Sequence, residues 1–180
     1  GDLTTPHGTT RYNCIVNVAG PWAKQLLDQS GIPSAYDLDL VRGSHLELRG
    51  TLPSGYFLQV PNESRIIFAL PYKDHILLGT TEVNQTLEDP IVCTDQERNY
   101  LLKVYNTYFV EQKTEDDIIG TFAGVRPLIR SNKPATQTTR EYAIERTGAV
   151  VTVFGGKWTT ARVLGEKVAR VVDTVVQSSP

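Results

Sequence analysis

The sequence predicts an α+β fold in which a mixed, largely antiparallel sheet with flanking helices adjoins a small α/β layer drawn from both ends of the chain. Three features carry this. Between residues 38 and 81, short β-rich segments alternate with Gly, Pro, Asn and Asp, the pattern of an antiparallel meander. A helical pattern follows, with Tyr100, Leu101, Val104, Tyr105 and Tyr108 recurring along one side. Near each end, an apolar strand runs through glycine into a helix.

In chain order, residues 1–11 are polar and glycine-containing, and the first strand is placed at 14–18. It ends in Ala19-Gly20-Pro21-Trp22, where Pro21 suits a first helical turn because its missing N–H costs nothing there. Trp22, Leu26 and Leu27 give that helix an apolar side, and Gly31-Ile32-Pro33 ends it. Meander strands are expected at 38–49, 55–60, 65–71 and 76–81. Thr94 or Asp95 caps the next helix, whose tyrosines are read as packing residues. Strands at 118–128, 140–146 and 149–154 complete the sheet, the last two joined by a tight turn at Thr147-Gly148. A final helix runs from about residue 158 to 176. Residues 1–34 and 149–180 are therefore assigned to the α/β layer, and 35–148 to the meander domain.

A chain of 180 residues accommodates one domain with a core, or one domain plus pieces of a neighbour; the second arrangement is expected. A net charge of -2 with 21% charged residues gives no basic excess for nucleic acid, so any anion site must be local. No apolar run approaches the roughly 20 residues that span a bilayer, and the polypeptide is expected to be soluble. Cys14 and Cys93 lack metal-type spacing and fit a reduced cytosolic setting. His7, His45 and His75 are scattered and give no support for a metal site.

The segment Phe154-Gly155-Gly156-Lys157-Trp158-Thr159-Thr160 places glycines, a lysine and two hydroxyls where a strand becomes a helix. Such an end offers unsatisfied N–H groups and positive partial charge to an anion. A glycine turn capped by Thr159 or Thr160 is the alternative. It is not a P-loop, because Val151 and Trp158 stand where that motif needs Gly and Ser or Thr; nor does the chain contain GxGxxG. Four basic side chains lie in apolar or glycine-rich contexts: His45, Arg126, Arg140 and Lys157. The two arginines suit a bidentate clamp on phosphate or carboxylate, with internal salt bridges to Glu141 or Glu145 as the alternative. His45 suits proton exchange near neutral pH, or a hydrogen-bonded place in the sheet.

Six blocks in register resemble the FAD-dependent glycerol-3-phosphate dehydrogenases, above all those of aerobic bacteria. They are Val16-Asn17-Val18-Ala19-Gly20-Pro21-Trp22, Arg42-Gly43-Ser44-His45, Leu78-Gly79-Thr80-Thr81-Glu82, Gly124-Val125-Arg126-Pro127-Leu128, Thr139-Arg140-Glu141-Tyr142 and the segment at 154–160. The resemblance covers nearly the whole chain. It implies the substrate domain of the glutathione-reductase and D-amino-acid-oxidase-like flavoprotein plan, together with remnants of the FAD-binding layer.

What the resemblance implies for chemistry is oxidation of sn-glycerol 3-phosphate to dihydroxyacetone phosphate by hydride transfer to FAD, with electrons passed to quinone. It makes Arg126 and Arg140 the phosphate-binding pair and His45, Arg126 and Lys157 the catalytic candidates, His45 first as base. Gly20, Gly156, Lys157, Trp158 and Thr159 become the cofactor-binding candidates. It further implies peripheral contact with the cytoplasmic side of a bacterial inner membrane and allows a homodimer. Two departures shape the expectations. Without a glycine fingerprint, the chain is expected to be a central-to-C-terminal fragment whose N-terminal FAD domain is missing, holding no FAD and inactive alone. Arg130, where many relatives carry an acidic residue, is expected to alter the phosphate pocket. An amine or amino-acid oxidase relative and a non-catalytic phosphate-ester-binding module are the competing readings.

Overall fold

The structure, a computed structural model, describes residues 1–130 and 142–177. Its elements are β1 (Asp2–Thr5), β2 (Gly8–Arg11), β3 (Ile15–Asn17), α1 (Ala23–Gln29), β4 (Leu38–Arg49), β5 (Tyr56–Gln59) and β6 (Ile66–Tyr72). There follow β7 (His75–Gly79), β8 (Val83–Gln85), α2 (Asp95–Tyr108), β9 (Ile118–Ile129), β10 (Tyr142–Thr147), β11 (Val150–Gly155) and α3 (Ala161–Gln177). The fold is α+β, with largely antiparallel sheets and flanking helices. It divides into two units, Gly1–Asp39 with Pro127–Pro180, and Leu40–Arg126.

In the first unit β3 lies parallel to β11, Ile15 opposite Val150 and Asn17 opposite Thr152, and β10 joins β11 as an antiparallel hairpin. Buried Asn17 organises the turn after β3: its amide donates to the Ala23 carbonyl at 2.9 Å and its Oδ1 accepts the Ala19 N–H at 3.2 Å. A 3-10 turn at Gly20–Trp22, with Pro21 at its start, then leads into α1. Val151, Val153 and Phe154 of β11 are buried, as are Ala23 and Leu27 of α1.

In the second unit the strand order is β5-β6-β7-β4-β8, with β9 also paired to β4. The core fills one face of this sheet: Leu46, Leu48, Leu58, Ile67, Ile76 and Leu78 pack with Leu101, Val104 and Tyr105 of α2. Helix α2 begins in a complete capping box, Thr94 and Glu97 each satisfying the other's backbone N–H. Tyr105 is buried and stacks on Phe109 with centroids 4.3 Å apart, so it packs the core as its helical spacing predicts.

Three local expectations change. Residues 1–11 form a hairpin, β1 with β2, which lacks the apolar alternation of a strand because every residue of it is exposed; its cross-strand link includes Thr4 and Thr9 hydroxyls 3.0 Å apart. The short strand β8 carries no recognisable period and pairs with Leu40–Arg42 of β4. The C-terminal helix begins at Ala161, after a separate 3-10 turn at Trp158–Thr160.

Candidate functional site

Strand β4 alternates its side chains between two faces. Arg42, Ser44, Leu46 and Leu48 are buried toward α2, whereas Gly43, His45 and Glu47 fall on the opposite face. On that face the His45 ring stacks on Phe122 of β9, with centroids 4.8 Å apart and planes inclined by 10°. His45 is paired across the ladder with Gly79, and a Cβ at position 79 would fall 2.3 Å from Cδ2 of His45. Gly43 makes similar room for Arg126, since its missing Cβ would fall 2.5 Å from Nη2 of that side chain. The same Nη2 donates to Oγ1 of Thr80 at 3.1 Å.

Two glycines thus open notches in neighbouring strands for one imidazole and one guanidinium. Burial first, and the Arg126 charge second, push the His45 imidazole below its usual protonation range. The ring is therefore neutral at neutral pH, with a buried Nδ1 that has no hydrogen-bond partner among the described residues. A row of ladder partners, Phe57, Phe68, Gly79 and His45, crosses β5, β6, β7 and β4. Phe57 and Phe68 are exposed, so an apolar surface leads along the sheet to His45. Neither the notches nor this row is visible in sequence, because both depend on cross-strand register.

Arg140 lies outside the described residues. Arg130 is held by Asp39 at 2.9 Å and by Asp37, and its own N–H donates to the Asp37 carbonyl at 2.8 Å. It serves as an exposed tie between segments of its own unit.

The remaining predicted residues gather in the first unit. A cavity of about 660 Å³ is lined by Gly20, Gly156, Lys157, Trp158, Leu164 and Val168, among others. Gly20, Gly155 and Gly156 have φ values of 57°, 70° and 102°, a region open to glycine, and they bring backbone to the cavity wall. Trp158 is 94% exposed, an aromatic face left open among the described residues. Thr159 sits in the adjoining 3-10 turn, which no side chain caps; the Thr160 hydroxyl instead donates to the Lys157 carbonyl at 3.2 Å. An apolar slot, close backbone approach and one cation in its lining fit a flat, polar-edged ring such as a flavin. Among the described residues, no group of His, Cys, Asp or Glu is arranged to hold a metal ion.

Sequence reasoning missed a buried polar cluster on the α2 face of the second unit. Oε1 of Glu97 accepts Thr81 Oγ1 at 2.7 Å and Ser44 Oγ at 2.8 Å, while Oε2 pairs with Nη2 of Arg42 at 3.0 Å. The sequence signal was the capping box Thr94-Asp95-Gln96-Glu97, which accounts for the exchange with Thr94 and for none of these three attachments.

A family model, that of the FAD dependent oxidoreductases (DAO), matches residues 1–171. The aerobic glycerol-3-phosphate dehydrogenase of Escherichia coli K12 is 39% identical over 163 residues, which are 84% of this chain and 32% of that protein. The D-erythritol 1-phosphate dehydrogenase of Brucella abortus is 34% identical over 168 residues, 88% of this chain and 34% of that protein. Among solved structures, the glycerol-3-phosphate dehydrogenase of Bacillus halodurans complexed with FAD superposes with a TM-score of 0.78 at 28% identity, over 96% of this chain and 34% of that one. Glycine oxidase of Geobacillus kaustophilus, at 17% identity and a TM-score of 0.64 over 99% of this chain and 45% of that one, shares the fold. The chain spans about a third of the length of the curated relatives it matches.

These findings overturn the expectation of a chain from which the FAD-binding part is missing. The match runs through residues 1–171, and both ends of that span contribute a strand, a glycine turn and a helix to one sheet with β3 parallel to β11. Lack of a GxGxxG string is a poor measure of that part, because the family likeness is spread over the full span. From its first residue through most of its last helix, the chain belongs to the family of FAD dependent oxidoreductases.

Proposed function

We propose that the protein oxidises the secondary alcohol of a polyol phosphate, with glycerol 3-phosphate as substrate, FAD as hydride acceptor and quinone as the onward electron acceptor. The observation that carries this is the His45 and Arg126 pair, seated in the Gly43 and Gly79 notches of one sheet face. The names of the Escherichia coli and Brucella abortus relatives support a phosphorylated alcohol.

The neutral His45 imidazole takes the proton of the reacting hydroxyl, and removal of that proton raises the hydride-donating power of its carbon. Arg126 has two effects on it. Its charge adds to burial, the larger cause, in keeping the ring unprotonated and available at neutral pH, and it weakens the ring as a base. Arg126, joined by Arg140, binds the substrate phosphate and fixes the carbinol in place, so that remote binding energy is used for orientation. Gly20, Gly156, Trp158 and Thr159 form the flavin slot, and Lys157 with the uncapped N–H groups of the 3-10 turn supplies positive charge there. FAD, when bound, supplies the hydride acceptor.

We assign residues 1–34 and 149–180 to the cofactor and residues 35–148, which include both arginines, to the substrate. Quinone, and with it peripheral attachment at the cytoplasmic side of an inner membrane, follows from the resemblance. Among the described residues no helix is long and apolar enough to cross a membrane.

The test is anaerobic mixing of the FAD-loaded whole protein with glycerol 3-phosphate, erythritol 1-phosphate, glycerol and glycine. Bleaching of the flavin band by a phosphorylated alcohol and not by glycerol is the expected result. Bleaching by glycine in place of the phosphates would establish an amino-acid oxidase instead.

A further inference from the structure

We propose that Glu97 is a positioning residue for the His45 and Arg126 face, acting through Thr81 and Thr80 from the opposite side of the sheet. The inference rests on the assignment of that face to the substrate. Its starting point is a carboxylate that does more than cap a helix. A capping box needs only the exchange with Thr94, which Glu97 makes through Oε2 at 3.0 Å to the N–H and 2.9 Å to the hydroxyl. Yet Oε2 also accepts Arg42 Nη2, and Oε1 accepts the hydroxyls of Thr81 and Ser44.

Those two hydroxyls flank the site. The regular pairing of β4 with β7 ends at His45 and Gly79. Beyond it, Oγ1 of Thr81 takes the place of a ladder carbonyl by accepting the Ser44 N–H at 2.9 Å, and the Thr81 N–H donates to the Ser44 carbonyl at 3.3 Å. Glu97 therefore fixes the residue before His45 and the residue after Thr80 together. Thr80 accepts a hydrogen bond from Arg126, and its own carbonyl is held by Nη2 of Arg65 at 2.8 Å. Glu97 and Thr81 are both buried, 4% and 2% exposed, on the face away from His45, so their influence on substrate runs through the backbone of Ser44 and of the segment 79–81.

The test uses Thr81→Val, which keeps the volume and removes the hydroxyl, Thr81→Ser, which restores the hydroxyl, and Glu97→Gln. Each is made in the whole protein and read by NMR titration of His45 and by kinetics with glycerol 3-phosphate. The charged group facing His45 from β9 is Arg126, Glu47 follows it on β4, and β7 presents only Gly79. Loss of the clamp lets Arg126 move from Thr80, so in Thr81→Val and Glu97→Gln the His45 midpoint rises by about half a pH unit or more. In the same variants kcat/KM falls by about 10- to 100-fold, chiefly through KM, and Thr81→Ser returns both quantities to wild-type values. Should Glu97→Gln fail to fold, the Val and Ser pair at position 81 carries the test. Folded variants with a wild-type His45 midpoint would overturn the proposal, even if they were less stable. A wild-type protein that leaves glycerol 3-phosphate unoxidised would remove the substrate assignment, whereas the His45 midpoint would still report on the clamp.

Discussion

Gly79 and His45 face each other across the β7 and β4 ladder so closely that a Cβ on the glycine would lie 2.3 Å from Cδ2 and 2.9 Å from Nε2 of the imidazole. The ring occupies the volume that any other residue at 79 would fill. Gly79→Ala is therefore expected to displace His45, costing about 1–3 kcal/mol of stability as an overpacked site does. If His45 is the base, the chemical step should slow by roughly 10²–10⁴. Single-turnover flavin reduction with thermal unfolding beside it checks both effects, and an unaltered reduction rate would take His45 out of that role.

The direction of the His45 shift sets a pH dependence. Its folded pKa lies below the ordinary 6.5, from burial and then from Arg126, so kcat/KM should rise with pH through a midpoint below 6.5. Substituting Arg126 by Gln should move that midpoint up while weakening phosphate binding. For stability the sign is fixed as well. The unfolded chain takes a proton on His45 near 6.5 and the folded chain resists it, so stability declines as pH falls from 6.5 toward the folded value. Urea unfolding across this range in wild type and His45→Gln should show the slope only in the former.

Local features of the site were legible where one segment contains the whole signal. The meander strands stood out between Gly, Pro, Asn and Asp, and strand 38–49 has the bounds its pattern suggested. His45 and Arg126 were marked by being basic side chains in apolar or glycine-rich surroundings, and the structure places both on one face. What made room for them was hidden. Gly79 faces His45 only through a register that joins residues 34 positions apart, the difference between 79 and 45. Glu97 was hidden differently, because a capping box already explains a Glu at that position. The hairpin at residues 2–11 was missed because exposed strands need no apolar alternation. The FAD-binding part is not legible from a single glycine string, because it is an assembly of strands and helices drawn from the full span.

Glu97 predicts an acid transition. Burial raises its carboxyl, but donors from Thr81, Thr94, Ser44 and Arg42 outweigh burial and hold it at about 2, below the ordinary 4.5. A depressed folded pKa adds stability at neutral pH that disappears as pH falls from about 4.5 through about 2. The difference is worth about 3 kcal/mol. Glu97→Gln should be less stable than wild type at pH 7 and should lack most of this acid-dependent loss. Denaturant midpoints at pH 7 and pH 3 make the comparison, and equal acid slopes in the two proteins would contradict it.

Trp158 offers a direct reading of the cofactor slot, because it lines the cavity and is 94% exposed. The chain has two tryptophans, and Trp22→Phe leaves Trp158 as the sole indole reporter. A flavin ring settling against the glycines at 155 and 156 would bring an efficient acceptor close to that indole. Titrating FAD into the Trp22→Phe protein should therefore quench its emission with a saturable curve. Adding Lys157→Met removes the cation and should weaken binding by about tenfold, the scale of one hydrogen bond to a charged group. Filling the slot with Gly165→Leu tests position separately from charge, since a Cβ there meets open space and a longer side chain would enter the cavity. Saturable quenching that survives both changes would move FAD out of this cavity, and with it the cofactor role assigned to Lys157.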